Sequence, residues 1–157
     1  MHQIRRVVVA IATVMLAAVL AVSFSGTAAA KTFPPNFTVT SERPSLGELN
    51  DIVEFLVGTP ASDSAKAANV EGRTNAVIVP KTVYNLGLFR APKGSHQMTG
   101  PLVQRGNSVT ATLNASSAGR PTIKMTIEFK KQGNWKLAVS SLCQGVKAVG
   151  LNIYCNR

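Results

Sequence analysis

Acidic residues, cysteine and histidine are scarce in this sequence. Its 157 residues contain seven Asp and Glu, two Cys and two His, against 17 Lys and Arg. The cysteines and histidines do not occur at the spacing of a metal site. The sequence also has neither a Gly-x-Ser-x-Gly elbow nor a Gly-rich phosphate loop. We therefore expect a protein that is not an enzyme and that needs no metal or cofactor.

The shortage of acid is greatest in the second half of the chain. Residues 31–80 contain six acidic and four basic residues, whereas residues 81–157 contain eleven basic residues and a single acid, Glu128. A cationic half favours contact with an anionic surface; the alternative is a solvated face whose charge keeps the protein soluble. We do not expect nucleic acid as a partner, because the sequence has no nucleic-acid binding motif.

The N-terminus has the pattern of a secretory signal. Arg5 and Arg6 precede an apolar run from Val7 to Val22, and small residues follow it up to Ala30. This order predicts a signal peptide over residues 1–30 that is cleaved after Ala30. The alternative is a permanent membrane anchor, although the run is short for the roughly 20 apolar residues that span a bilayer. We expect a protein that is secreted or associated with the cell wall, and not integral to the membrane once the signal is removed.

Both cysteines, Cys143 and Cys155, lie near the C-terminus. In an exported protein such a pair most often forms a disulfide, so we expect Cys143 and Cys155 to be disulfide-bonded within a C-terminal tail. His96 is the one histidine beyond the predicted signal. We expect it to be an ordinary exposed residue in a loop.

The mature chain is the length of one ordinary domain. Residues 31–44 contain Pro34, Pro35 and Pro44 and are predicted to form an extended lead-in, which either lies along the domain or stays mobile. Residues 45–157 are predicted to form a single domain that includes the C-terminal tail with both cysteines.

Helix signals dominate the first half of this domain. Ser45 and Glu48 form a capping box, and apolar residues then recur at helical spacing until Gly58 ends the helix. A second, shorter helix is predicted over residues 63–68. Residues 75–90 are ambiguous, because they fit either a strand or a helix opened by a proline.

Strand signals dominate the second half. An edge strand is predicted around Pro101, and another strand around Val109. Residues 122–141 alternate between apolar and polar side chains and predict a hairpin. A three-residue loop with Gly133 in the left-handed conformation sets Phe129 opposite Trp135. Helices followed by antiparallel strands predict an α+β fold, with N-terminal helices packed on a bent antiparallel sheet.

Lys124, Lys130 and Lys136 fall on the non-core face of this hairpin. With Arg120, they are our candidates for weak binding to an anionic surface, such as cell-wall polymers or lipids. This is the first functional hypothesis: an exported domain that binds and does not catalyse.

A second hypothesis places an apolar pocket between the sheet and the first helix, in a small-molecule carrier or a small enzyme. Tyr84, Phe129 and Trp135 are its candidate residues. A third hypothesis is a structural domain that pairs with a partner through the edge near Pro101 or through the outward-facing side of the sheet. Neither the ligand nor the oligomeric state follows from the sequence.

Residues 129–137 have the pattern Phe-x-x-Gln-Gly-x-Trp-x-Leu. Together with the Pro44-Ser45-x-x-x-Leu49 helix start and the Val70-Glu71-Gly72 step, this pattern resembles the low-molecular-weight secreted antigens of mycobacteria. The resemblance spans roughly residues 44–141. It implies a cystatin-like or nuclear-transport-factor-like cone in an exported, antigen-like actinobacterial protein. It also implies no established enzymatic activity, and hence no catalytic residues to carry over.

Overall fold

Within residues 31–155, the part of the chain that the computed structural model describes, four helices precede the strands and one helix follows them. The predicted signal peptide falls outside these described residues. The elements are α1 Leu46–Gly58, α2 Asp63–Ala67, α3 Arg73–Ala76, α4 Ile78–Leu86, β1 Gly94–Arg105, β2 Ser108–Ser117, β3 Ile123–Gln132, β4 Asn134–Leu137 and α5 Val139–Ala148. The strands form one antiparallel sheet in the order β1-β2-β3-β4. The predicted α+β fold is confirmed.

The two faces of the sheet differ in burial. On one face, here called the core face, Val109, Ile127 and Phe129 are buried. On the opposite face, here called the outer face, Lys124 and Thr126 are exposed. Helix α1 packs against β1 and α5 packs against β3, so the helices cover the core face.

Helix α1 begins at the predicted capping box. The Ser45 hydroxyl accepts a hydrogen bond from the Glu48 amide at 3.1 Å, and the Ser45 amide donates to the Glu48 carboxylate at 2.7 Å. At the other end, Lys66 Nζ donates to the Leu56 carbonyl at 2.6 Å. Both ends of α1 therefore have partners for backbone groups that the helix itself leaves unsatisfied.

The ambiguous segment of residues 75–90 is helical. Pro80 lies in the first turn of α4, where its missing N–H removes no hydrogen bond of the helix. Val79, Pro80 and Val83 are buried, and Gly87 ends the helix in the left-handed conformation, with φ of 68°.

The predicted edge strand is confirmed as β1. Its pairing with β2 is interrupted between Thr99 and Val103, the stretch that contains Pro101. Proline has no N–H to donate to a neighbouring strand. A sheet tolerates it on an edge strand, because one side of that strand has no partner.

The predicted register of the β3–β4 hairpin is wrong by two residues. Phe129 lies opposite Leu137, and Lys131 lies opposite Trp135. Alternation determines which face a residue occupies, but it does not distinguish two registers that differ by two positions. Phe129 and Trp135 therefore still share the core face, both fully buried. Gly133, with φ of 83°, takes the left-handed conformation at the turn.

The lead-in lies along the domain and holds β4 in this register. The Trp135 amide donates to the Val39 carbonyl at 2.8 Å, and its indole N–H donates to the Ser41 carbonyl at 2.7 Å. One step along β4, the Leu137 amide donates to the Asn69 carbonyl at 2.9 Å. The edge of β4 that faces away from β3 is thus covered by the lead-in and by the segment after α2.

The strand predicted to run to residue 141 ends at Leu137, and α5 follows. Leu142, Val146 and Val149 of this region are buried at helical spacing. Cys143 lies on α5 and is bonded to Cys155, with an S–S distance of 1.99 Å. The predicted tail therefore contains a helix that packs on the sheet. The disulfide links this helix to the residues that follow it.

Replacing both Cys143 and Cys155 with Ser should lower the free energy of unfolding by about 3 kcal/mol, because the unfolded chain then recovers the freedom of the 12-residue loop. Urea unfolding of the oxidised protein and of the double variant measures this difference. The reduced natural sequence, as the control, should unfold with the variant. Equal midpoints for the variant and the oxidised protein would contradict the prediction.

Candidate functional site: an apolar cavity beside the sheet

An apolar cavity of about 80 Å³, partly open to solvent, lies between the helices and the core face of the sheet. Helices α1, α4 and α5 form one side of it, and residues of β2, β3 and β4 form the other. Phe89, in the loop between α4 and β1, adds an aromatic ring to the wall. Nearly all of the lining side chains are aliphatic or aromatic.

The cavity exists because the helices leave the middle of the core face uncovered. Leu113 of β2 and Met125 of β3 are cross-strand partners, and both remain partly exposed. Their neighbours along the strands, Ala111 and Ile127, are buried. Gly145 of α5 also lines the cavity, and a Cβ atom there would meet nothing within 4 Å. The helix therefore presents no side chain at this point of the wall.

A histidine and a glutamate lie behind the Phe89 wall. The His96 side chain is only 4% exposed; its Nδ1 atom lies 2.7 Å from the Phe89 carbonyl oxygen, and its Nε2 atom lies 3.2 Å from Glu54 Oε2. The expectation of an exposed loop histidine is wrong. Strand β1 begins at Gly94, and pairing of His96 with Ala115 turns the imidazole towards the core face.

The structure places the predicted pocket residues outside the cavity lining. Phe129 and Trp135 are fully buried in the core beneath the sheet. The Tyr84 ring lies between two cations, with Lys66 Nζ 4.8 Å and Arg90 Cζ 4.6 Å from its centroid. The residues that do line the cavity are ordinary apolar positions of α1, α4 and the strands, which no local motif distinguishes from core residues.

The four basic candidates differ in their surroundings. Lys124 is exposed, whereas Lys130 Nζ donates to Glu71 Oε1 at 2.8 Å. This hydrogen bond raises the pKa of Lys130 and lowers the pKa of Glu71. Lys136 lies opposite Lys130 on the outer face but is only 8% exposed. Arg120 is exposed and donates to the Val149 carbonyl at 2.9 Å. The three lysines therefore share the outer face but differ in exposure.

Lys66 is a buried cation that the sequence does not reveal. It is 2% exposed, and its ammonium group donates to the C-terminal end of α1. Burial lowers its pKa to about 8, while the charge of Asp63 acts in the opposite direction. A lysine at this place satisfies a helix carbonyl at the cost of desolvating its own charge.

Two further features concern the described part of the chain. Between residues 31 and 155, no group of three or more His, Cys, Asp or Glu side chains is placed to hold a metal ion. None of the helices in this range combines the length and apolarity needed to cross a membrane.

The fold and its cavity define a small α+β domain in which helices pack on an open antiparallel sheet. Residues 42–153 match the family model described as low molecular weight antigen MTB12, C-terminal domain. Because this match covers more than half of the chain, the chain belongs to that family, and the resemblance seen at residues 129–137 is confirmed. No curated protein matches the chain. Family membership suggests a secreted, antigen-like protein that is not an enzyme, and the disulfide fits an extracellular location.

Lys66 should make stability depend on alkaline pH. Its pKa of about 8 in the fold lies below the unfolded value of about 10.4, so the unfolded chain binds more protons between these limits. The free energy of unfolding should therefore rise with pH over this range, by up to roughly 3 kcal/mol, relative to a Lys66→Met variant. Chemical unfolding at a series of pH values measures this difference. The control is Lys147→Met, at an exposed lysine; its free energy of unfolding should change with pH in the same way as that of the natural sequence. The prediction would be contradicted if the free energy of unfolding of Lys66→Met showed that same pH dependence.

Proposed function

We propose that this protein is an exported binding domain that holds an apolar ligand in the cavity between its helices and its sheet. The observation that carries this proposal is the partial exposure of Leu113 and Met125 at the centre of the core face. An apolar surface in that position faces open space where a closed core would have side chains. Family membership and the disulfide support an extracellular place of action.

The chemistry of the lining favours binding by burial of apolar surface, at about 25 cal/mol per Å². Ser141 lines the cavity, but its hydroxyl accepts a hydrogen bond from the Glu128 amide at 2.8 Å. That hydroxyl is therefore committed to the fold. A ligand that suits this wall is aliphatic or aromatic and is selected by shape.

The same lining supports a binding role over a catalytic one. His96 and Glu54, two proton-transfer groups of this region, contact each other, and His96 also contacts the Phe89 carbonyl. Neither of them belongs to the cavity lining. A general acid or base needs to be within hydrogen-bond reach of its substrate, and these two groups lie behind the wall.

A Gly145→Leu substitution should block the cavity without unfolding the protein. The new side chain enters space in which a Cβ meets nothing within 4 Å, and removal of a helix glycine stabilises by about 1 kcal/mol. We expect the affinity for a neutral apolar fluorophore, N-phenyl-1-naphthylamine, to fall by about tenfold or more. Fluorescence titration measures the affinity, and thermal unfolding measures the stability.

Gly47→Leu is the matched control for this substitution. Gly47 is also a helix glycine, but it is exposed in the first turn of α1, away from the cavity. This variant should bind the fluorophore like the natural sequence. Equal affinities for Gly145→Leu and Gly47→Leu would refute the proposed cavity site.

Contact with an anionic surface is the second candidate function. It is supported by the exposure of Lys124 on the outer face and of Arg120 just before β3. Lys130 is paired with Glu71 and Lys136 is mostly buried, so Lys124 and Arg120 are the stronger members of the predicted set. Wall polymers and anionic lipids both present the negative charge that such a surface attracts.

A Lys124→Glu substitution tests this second function. The variant should bind vesicles that contain anionic phospholipid several-fold more weakly than the natural sequence, since each basic residue near such a surface contributes about 1 kcal/mol. Co-sedimentation at low salt measures binding, and about 1 M salt should release the protein. Lys93→Glu, an equal charge change at an exposed loop residue, is the control. Retention of the natural protein at high salt would rule out the electrostatic mechanism.

A further inference from the structure

A second cavity, a groove that is partly open to solvent, lies between the α3–α4 region and the loop that follows α5. Its volume is about 520 Å³, and small-molecule sites usually measure roughly 300–1,000 Å³. Five residues line the groove: Asn75, Ile78, Asn152, Ile153 and Tyr154. None of them lines the apolar cavity, so the groove is a separate site.

The loop after α5 forms one wall of the groove. Gly150 takes the left-handed conformation with φ of 67°, and the Leu151 amide donates to the Val146 carbonyl at 3.0 Å. This turn ends α5 and leads into the wall residues 152–154. Because Cys155 is bonded to Cys143 of α5, these wall residues lie within a covalently closed loop. The disulfide therefore restricts the positions that the wall takes in the absence of a ligand.

A glycine makes room for the tyrosine of this wall. A Cβ atom on Gly72, the N-cap residue of α3, would lie 2.9 Å from the Tyr154 hydroxyl oxygen and 2.7 Å from the Ala76 Cβ atom. Cβ atoms do not approach other atoms so closely, so any other residue at position 72 would force its neighbours to shift. The Tyr154 hydroxyl thus lies against the start of α3, and its ring connects the loop to the opposite wall of the groove.

The side chains of the groove have hydrogen-bonding groups that the fold does not use. Within the part of the chain that the structure describes, the carboxamides of Asn75 and Asn152 and the hydroxyl of Tyr154 have no hydrogen-bond partner. Both asparagines are exposed. Ile78 is 47% exposed, although Val79, the next residue of α4, is buried. The groove therefore combines unpaired hydrogen-bonding groups with exposed apolar surface.

We infer that this groove is a binding site for a neutral saccharide. A carboxamide both donates and accepts hydrogen bonds, and so do the hydroxyl groups of a sugar. The C–H face of a sugar ring is apolar and can lie on the Ile78 side chain or on the body of the Tyr154 ring. None of the five lining residues is charged, which favours a ligand without charge. The inference does not depend on the proposed apolar-ligand function, because the two cavities share no lining residue.

Other classes of ligand fit the groove less well. A charged ligand would find no opposite charge in the lining. An extended peptide that adds to a sheet needs a strand edge, whereas helix and loop residues line this groove. A wholly apolar ligand would cover both carboxamides without replacing their hydrogen bonds to water. A ligand with hydroxyl groups around an apolar ring avoids all three difficulties.

Binding to immobilised oligosaccharides tests the inference directly. The array carries neutral oligosaccharides of mannose, galactose and glucose together with sulfated oligosaccharides, and the protein is used with its disulfide intact. We expect binding to at least one of the neutral oligosaccharides. This binding should persist in about 1 M salt, in which electrostatic attraction is strongly screened. Binding to the sulfated oligosaccharides alone, or to nothing on the array, would overturn the inference.

Removal of both carboxamides should weaken this binding. In an Asn75→Ala, Asn152→Ala double variant, the dissociation constant for the neutral oligosaccharide that binds best should rise by about tenfold or more, because each asparagine loses its hydrogen bond to the sugar. Calorimetric titration measures the affinity, and thermal unfolding checks that the variant is folded. Asn85→Ala is the matched control, since Asn85 is exposed on α4 and does not line the groove. Equal affinities for the double variant and for Asn85→Ala would overturn the saccharide site.

Fluorophore binding separates failure of this site from failure of the proposed function. The double variant should bind N-phenyl-1-naphthylamine like the natural sequence, and Gly145→Leu should bind the oligosaccharide like the natural sequence. Loss of oligosaccharide binding in Gly145→Leu would overturn the assignment of the saccharide to the groove, because that substitution acts in the apolar cavity. Oligosaccharide binding without any fluorophore binding would overturn the cavity function and support the saccharide site.

Discussion

The burial of Trp135 against the lead-in is the contact on which the rest of the structure depends. Its ring is fully buried, and both its backbone and indole N–H groups donate to carbonyls of residues 39 and 41. Since Leu137 is held by the segment after α2 in the same way, β4 has neighbours along both edges. The chain leaves the sheet at Ala138, and α5 begins at Val139. Without that turn, the sheet would have a longer fourth strand and the cavity would lack its third helix.

The cavity is a consequence of how three helices meet one sheet. Each helix buries one apolar face, but the three helices together leave Leu113 and Met125 partly exposed. Gly145 of α5 has no side chain, so it leaves open a space that a larger residue would fill. Leaving apolar surface exposed is unfavourable in proportion to its area. The proposed binding of an apolar ligand rests on this unfilled space.

Local signals in the sequence predicted much of this fold, and the failures share one cause. The capping box at Ser45 and the alternation along β2 and β3 are properties of neighbouring residues, so α1 and the sheet were predictable. The pairing of Phe129 with Leu137 was not, because it is decided by contacts from the lead-in, roughly a hundred residues away. The burial of His96, the helix after Ala138 and the cavity lining likewise depend on which elements meet in three dimensions. Tyr84, Phe129 and Trp135 attract notice as aromatic residues, but the pocket is made by aliphatic ones whose sequence pattern is that of any core.

The charge asymmetry of the sequence does not become an equal asymmetry of the surface. Acids of the first half of the chain pair with lysines of the second, as Glu71 does with Lys130, Glu42 with Lys131 and Asp63 with Lys81. Folding brings Glu42 of the lead-in and Glu71 of the segment after α2 next to the basic strands, because the lead-in and that segment cover β4. The remaining positive charge is spread over separated positions, with Lys124 on the outer face and Lys93 in the loop before β1. A dispersed charge of this kind aids solubility and weak attraction to anionic surfaces, whereas a concave apolar wall can select one ligand among many. For that reason the cavity carries the specific part of the proposed function, and the surface charge carries the general part.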